Sequence, residues 1–219
     1  MKRIGILAQR NGSGGIDIPQ AYVNFAAIFG MPIPIFTYDD QVQNIDLLII
    51  VGGADVDPAR YNQRPVLQSG NPNIQLEDWD KYMLPEYIKS EIPLFGICRG
   101  FQTLNVHFGG FLEQHIHQEY SESRDKKVHD VIPTTHFNSF ITHHDIKYTN
   151  GSKGFMVNSL HHQGLYLNNL GKKVVPLLTH SMNFNIEAFH INNNIVAVQW
   201  HPEEIYDAFS INVIKSLLK

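Results

Sequence analysis

Cysteine is nearly absent from this chain of 219 residues; it occurs once, at Cys98. A single thiol cannot close an internal disulfide, and it leaves the histidines without the companion thiolates of a structural zinc site. Long apolar runs are missing too. The opening MKRIGILA, residues 1–8, is too short for a signal peptide or a membrane span. Charge is sparse, at 17% of residues with a formal net charge of −4 and no block of one sign. A polyphosphate would meet no basic surface, so nucleic acid is not an expected partner. These absences indicate a cytoplasmic, reducing compartment with no membrane contact. With 43% hydrophobic residues, the chain has enough apolar material for the core of a single domain over residues 1–219.

Histidine is abundant by contrast, with 12 residues, several paired as His115/His117, His143/His144 and His161/His162. Neighbours in a strand point to opposite faces, and the sequence has no His-Glu-x-x-His helix. Surface or pocket-lining histidines are therefore expected, with neither a metal nor another cofactor.

The chain opens as a βα unit. A short apolar strand at 3–8 is followed by helical spacing over 19–29, with Gly30 as its stop. Further strands are expected at 32–36 and at 45–51, where IDLLIIV has the continuous apolar character of a strand buried on both faces. A proline-rich loop over 54–76 leads to one helix over 77–91. Pro93 then starts a strand that runs into Cys98, and helical periodicity follows from Arg99 to Phe108. Residues 111–165 are polar and irregular and predict loops with short strands. The end recovers regularity, with apolar strands at 174–179, 185–191 and 195–200, the last two forming a hairpin, and an amphipathic helix over 205–218. This pattern predicts an α/β fold, an open, mostly parallel sheet with helices on both faces. Ligands in such sheets sit beyond the carboxyl ends of the strands, where Gly53, Cys98 and His201 fall.

Gly96-Ile97-Cys98-Arg99-Gly100 is a G-x-C-x-G pattern between a strand and a helix. Glycine on both sides permits a sharp turn that lifts the sulfur out of the sheet, and a helix start favours negative charge on it. The five residues alone leave packing and chemistry equally open. A thiolate needs a base and a group to orient that base, and Gln199-Trp200-His201-Pro202-Glu203 supplies both at the end of the last strand of the hairpin. His201 is the candidate base, and Glu203, turning back over Pro202, is the candidate acceptor for its ring N–H. By itself, His-Pro-Glu also reads as an ordinary helix start; together with the elbow it favours chemistry. Backbone N–H groups of Gly53 and Arg99 would form an oxyanion hole if their two strand ends are adjacent.

The segments FGICRGFQ, VNSLHHQG, IEAFH and VQWHPE, in this order, together with GGADVDP at 52–58, resemble the class I glutamine amidotransferase-like family, and within it the bacterial γ-glutamyl-γ-aminobutyrate hydrolase type. The resemblance implies a flavodoxin-like sheet whose C-terminal hairpin carries the His-Pro-Glu. It implies a Cys98–His201–Glu203 triad that cleaves a γ-glutamyl amide through a glutamyl thioester, releasing glutamate. It places Gln102, His161, His162 and Gln163 at the substrate. An Arg-Asp-x-x-Glu pattern usual in that subgroup is replaced here by Glu77-Asp78-Trp79-Asp80, which leaves the leaving group open. The expected partner is a small γ-glutamyl molecule, with a homodimer as an open question. Two alternatives stand beside this reading: a glutaminase subunit delivering ammonia to a separate synthetase partner, and a non-catalytic or redox-sensing elbow-cysteine protein.

Overall fold

The structure, a computed structural model, describes residues 1–10, 15–36, 44–116, 128–144 and 154–219; His117 and the side chain of His143 lie outside the described set. The first half alternates strand and helix: β1 (Arg3–Leu7), a two-strand ribbon of β2 (Gln9–Arg10) and β3 (Ile16–Asp17), α1 (Gln20–Ala27), β4 (Met31–Ile35) and β5 (Leu47–Ile50). Helices α2 (Ile74–Tyr82) and α3 (Leu84–Lys89), strand β6 (Leu94–Ile97) and helix α4 (Arg99–His107) follow. The second half holds β7 (Val128–Pro133), α5 (Phe137–His143), β8 (Phe155–Asn158), β9 (Val175–His180), β10 (Ile186–Ile191), β11 (Ile195–Val198), α6 (Pro202–Ile205) and α7 (Ala208–Leu217).

All strands but the ribbon join one sheet of nine, in the order β4-β1-β5-β6-β11-β10-β9-β7-β8. From β4 to β11 every pair is parallel; from β11 to β8 every pair is antiparallel. The sheet is thus mixed, with the parallel half the expected flavodoxin-like unit and the β10–β11 hairpin joining the two halves. The central strands are apolar on both faces because both are covered: all residues of β5, β6 and β11 are buried. On one face Phe101 of α4 packs on Phe189, ring centroids 4.6 Å apart; α7 packs Phe209 on Trp200 at 6.0 Å, from the other end of the alternation. Strand β4 forms one edge of the sheet and carries Pro32 and Pro34.

Three sequence expectations are corrected. The single helix over 77–91 is two, α2 and α3, because Pro85 has no N–H to continue the first and sits in the opening turn of the second. It also begins earlier, since Asn73 caps it by accepting from the N–H groups of Gln75 and Leu76. The closing helix over 205–218 is broken at Tyr206, which is left-handed (φ 54°), and α7 restarts where Asp207 accepts from Ser210 N–H at 2.7 Å. Within 111–165, read as loops and short strands, residues 137–143 form a helix.

Candidate active site

The elbow is built by close approach. Cys98 follows β6 directly with φ 51° and ψ −102°, a left-handed backbone that a non-glycine residue rarely adopts, and Arg99 begins α4 at once. A Cβ on Gly100 would lie 2.2 Å from the carbonyl oxygen of Ile50, so glycine lets α4 settle directly on β5. Adjacent parallel pairing of β5 with β6, Leu48 opposite Leu94, puts the turn after Val51 beside the elbow, the adjacency the oxyanion-hole expectation required. As the first residue of α4, Arg99 has an N–H with no partner inside the helix.

His201 follows β11, which pairs with β6 on the side opposite β5. Its Nδ1 lies 2.7 Å from Glu203 Oε1, so the turn through Pro202 brings the carboxylate back onto the imidazole. Asn158 fixes the backbone here, accepting from His201 N–H at 2.9 Å and donating to its carbonyl at 3.3 Å. Burial opposes protonation of His201, but hydrogen bonding to Cys98 and Glu203 and the charges on both outweigh it and push the ring up to about 10.

Sequence reasoning missed Tyr22 and Gly52. Gly52 N–H donates to Tyr22 Oη at 3.0 Å, and that oxygen lies 3.5 Å from His201 Nδ1. Burial first, then the negative charge of Glu203 and Cys98, hold the Tyr22 hydroxyl above its ordinary range, so it remains a donor. A Cβ on Gly52 would stand 2.8 Å from Tyr22 Oη, 3.0 Å from His201 Cε1 and 3.5 Å from Cys98 Cβ. The sequence marked Gly52 only as half of a turn; nothing in the α1 pattern singled out Tyr22.

The His-His-Gln segment meets the 52–58 loop. His162 Nε2 is 3.0 Å from Asp55, and the Gln163 amide grips Val56 at both ends, accepting from its N–H at 3.2 Å and donating to its carbonyl at 3.4 Å. His161 turns inward, Nδ1 at 2.9 Å from Gln163 O. Gln102 Nε2 donates to that same carbonyl and to Gln199 Oε1, each at 3.2 Å. Gln102, His161 and Gln163 are thus brought together, and His162 and Gln163 hold the loop that carries Gly53.

Beneath the elbow lies a buried charge network. Arg99, 1% exposed, places Nη2 2.7 Å from both Glu77 Oε1 and Asp80 Oδ2. Arg60 pairs with Asp80 and donates to Thr103 Oγ1 at 2.8 Å. Glu77 Oε1 also accepts from Asp57 N–H at 3.2 Å. The i, i+3 spacing of Glu77 and Asp80 puts both carboxylates on one face of α2, a signal the sequence did contain.

A cavity of about 310 Å³ opens beside His201, its walls including Leu7, Asp17, Gly53, His201, Glu203 and Glu204. It lies beyond the carboxyl ends of β1 and β5, where the connections of the parallel half reverse direction, the position at which doubly wound sheets bind ligands. Among the described residues no group of three or more His, Cys, Asp or Glu is arranged to hold a metal ion.

Residues 8–203 match the Peptidase C26 family. Over 196 residues the chain is 30% identical to YvdE of Lactococcus lactis, whose name describes it as glutamine amidotransferase-like, spanning 84% of this chain and 79% of that one. It is 25% identical over 193 residues to the glutamine-hydrolysing GMP synthase of Petrotoga mobilis, a match covering 84% of this chain and 30% of that enzyme. PurLQS from Thermotoga maritima has the same fold, with a TM-score of 0.63 at 17% identity over 99% of this chain and 97% of that one.

Proposed function

The chain belongs to the Peptidase C26 family, and from that premise we propose that it hydrolyses a γ-glutamyl amide with Cys98 as nucleophile. The observation that carries this reading is the strained Cys98 backbone at a strand–helix junction, with the imidazole of His201, just past the neighbouring strand β11, held at 2.7 Å by Glu203. A protonated His201 beside the sulfur is the arrangement that stabilises a thiolate. Cys98 Sγ attacks the γ-carbonyl carbon, and the oxyanion accepts hydrogen bonds from the Gly53 and Arg99 N–H groups. The C–N bond then breaks as His201 gives its proton to the leaving amine. Water, deprotonated by His201, attacks the thioester and glutamate leaves with the thiol restored. Glu203 orients the ring, and Tyr22 ties the ring's surroundings to the Gly52 backbone.

The test is glutamate release from a panel of γ-glutamyl amines, γ-glutamyl peptides and glutamine, with Cys98→Ala as control. Release by the wild type and its loss in a folded Cys98→Ala protein are expected; no release from any substrate by folded wild type sinks the proposal. A second reading draws on the match to a third of a glutamine-hydrolysing synthase: the same chemistry on glutamine, with ammonia passed to a synthetase. Glutamine hydrolysis that is negligible alone and rises when a co-purifying synthetase is added selects it.

A further inference from the structure

Strand β10 carries the IEAFH motif, and its Glu187 has no part in the chemistry above. Glu187 is fully buried at 0% exposure, and among the described residues neither carboxylate oxygen accepts a hydrogen bond. His129 Nε2 stands 3.3 Å from Oε2, at ion-pair distance. A buried carboxylate without hydrogen bonds is costly, and a native structure keeps one where it is used. The pairing of β10 with β9 shifts register between Ile186 and Ala188, so Glu187 sits at a bulge, a device that re-aims a side chain.

Its location gives it a use. Cys98 N–H donates to Val198 O at 2.9 Å, and the next residue, Gln199, donates its N–H to Glu187 O at 2.8 Å. Nucleophile and carboxylate therefore occupy one rung of the sheet, two strand spacings apart, or roughly 10 Å between backbones. The space between them is polar: Gln199 accepts from Gln102, one turn into α4, and Gln102 and His161 share the carbonyl of Gln163. Burial holds the His161 imidazolium down, and the charge of Glu187 acts against that, so the carboxylate is felt across this space. Glu187 lies on the β11–β10 side of Cys98, while the cavity beside His201 lies on the β5–β1 side. Although His201 follows β11, it lines the cavity on the β5–β1 side, so a leaving amine seated there sets the acyl half of the substrate toward β11 and β10. In a γ-glutamyl group the α-nitrogen is four bonds from the attacked carbon, about 5 Å, which with the side chains of Cys98 and Glu187 spans the rung.

We propose that Glu187 anchors the α-ammonium group of the substrate and so selects γ-glutamyl over other acyl groups. The assignment rests on the γ-glutamyl hydrolase reading and adds the residue that recognises the amino end. The experiment compares kcat/KM for a γ-glutamyl anilide and for the glutaryl anilide, which has the same scissile amide and lacks only the α-amino group. Wild type should prefer the γ-glutamyl substrate by about a hundredfold or more, as sites built around a polar contact reject analogues that leave it unmade. Glu187→Gln should lose activity on the γ-glutamyl substrate alone, mainly through KM, bringing the ratio to within about tenfold. Glu187→Asp, which keeps the charge, should retain the preference at higher KM, and it carries the test if Glu187→Gln does not fold. A wild type that cleaves both anilides alike, or a variant that loses activity equally on both, overturns the inference and leaves the hydrolase reading intact. A folded wild type that cleaves neither anilide and releases no glutamate from any γ-glutamyl amine, γ-glutamyl peptide or glutamine overturns both.

Discussion

A single missing methyl group organises the reactive centre. Tyr22, His201 and Cys98 converge on the bare Cα of Gly52, and an added Cβ would meet the first two at 3.0 Å or less. Gly52→Ala should therefore lower kcat by about a hundredfold, comparable to removing an oxyanion donor, while circular dichroism and urea unfolding show a folded protein. Near-normal turnover would mean that the ring and the sulfur do not need this approach. The neighbouring imidazole gives a prediction in pH. Its folded value, about 10, is above the ordinary value of about 6.5, so the folded state holds a proton that the unfolded state releases between the two. This contribution is complete below about pH 6.5 and is lost as pH rises through about 10. The stability gap between wild type and His201→Gln should accordingly narrow over that window in urea titrations, and kcat should fall on the same alkaline limb as the proton donor for the leaving amine disappears.

At the scale of elements, α2 fastens the elbow to the loop beside it. Glu77 Oε1 receives both Arg99 Nη2 and Asp57 N–H, so one oxygen spans the two segments whose backbones carry the proposed oxyanion donors. Removing one partner of a buried ion pair typically costs about 3–5 kcal/mol, and Arg99→Met is expected to lose stability of that order in chemical denaturation; a loss under about 1 kcal/mol would show the network to be dispensable. The sequence made the elbow and the His-Pro-Glu turn legible because each chemistry-bearing residue stands within two or three residues of the glycine or proline that shapes its turn. The parallel strands were legible from their unbroken apolar runs. Of the network, only the i, i+3 spacing of Glu77 and Asp80 was legible; their partners were not, because Arg60 and Arg99 reach them only in the folded chain, and Tyr22 was not, because a buried tyrosine on a short amphipathic helix looks like core. The breaks at Pro85 and Tyr206 escaped the periodicity because apolar spacing continues across them, although the chain direction does not.

For the whole molecule, the proposed nucleophile Cys98 stands between a proposed acyl side toward β10 and a cavity on the His201 side. On the His201 side the cavity wall bears Asp17, Glu203 and Glu204, and among its described lining residues there is no lysine or arginine. Leaving groups that are cationic or neutral amines should be preferred over those carrying a carboxylate. The exposed positions of Asp17 and Glu204 limit the effect to about five- to tenfold in kcat/KM at low salt. Matched γ-glutamyl amides of a diamine, an alkylamine and an ω-amino acid measure it; a preference for the ω-amino acid would contradict the wall's role. The prolines of β4 act at the far end of the same sheet. Met31 N–H points to β1, donating to Lys2 O at 2.8 Å, so by strand alternation residues 32 and 34 turn their nitrogens outward, and both nitrogens belong to proline. That margin offers no N–H donor at either position to an incoming strand. Among the described strands of the nine-stranded sheet, the margin that keeps its N–H donors is the opposite one, β8, and copies of this protein that associate by extending that sheet should pair there.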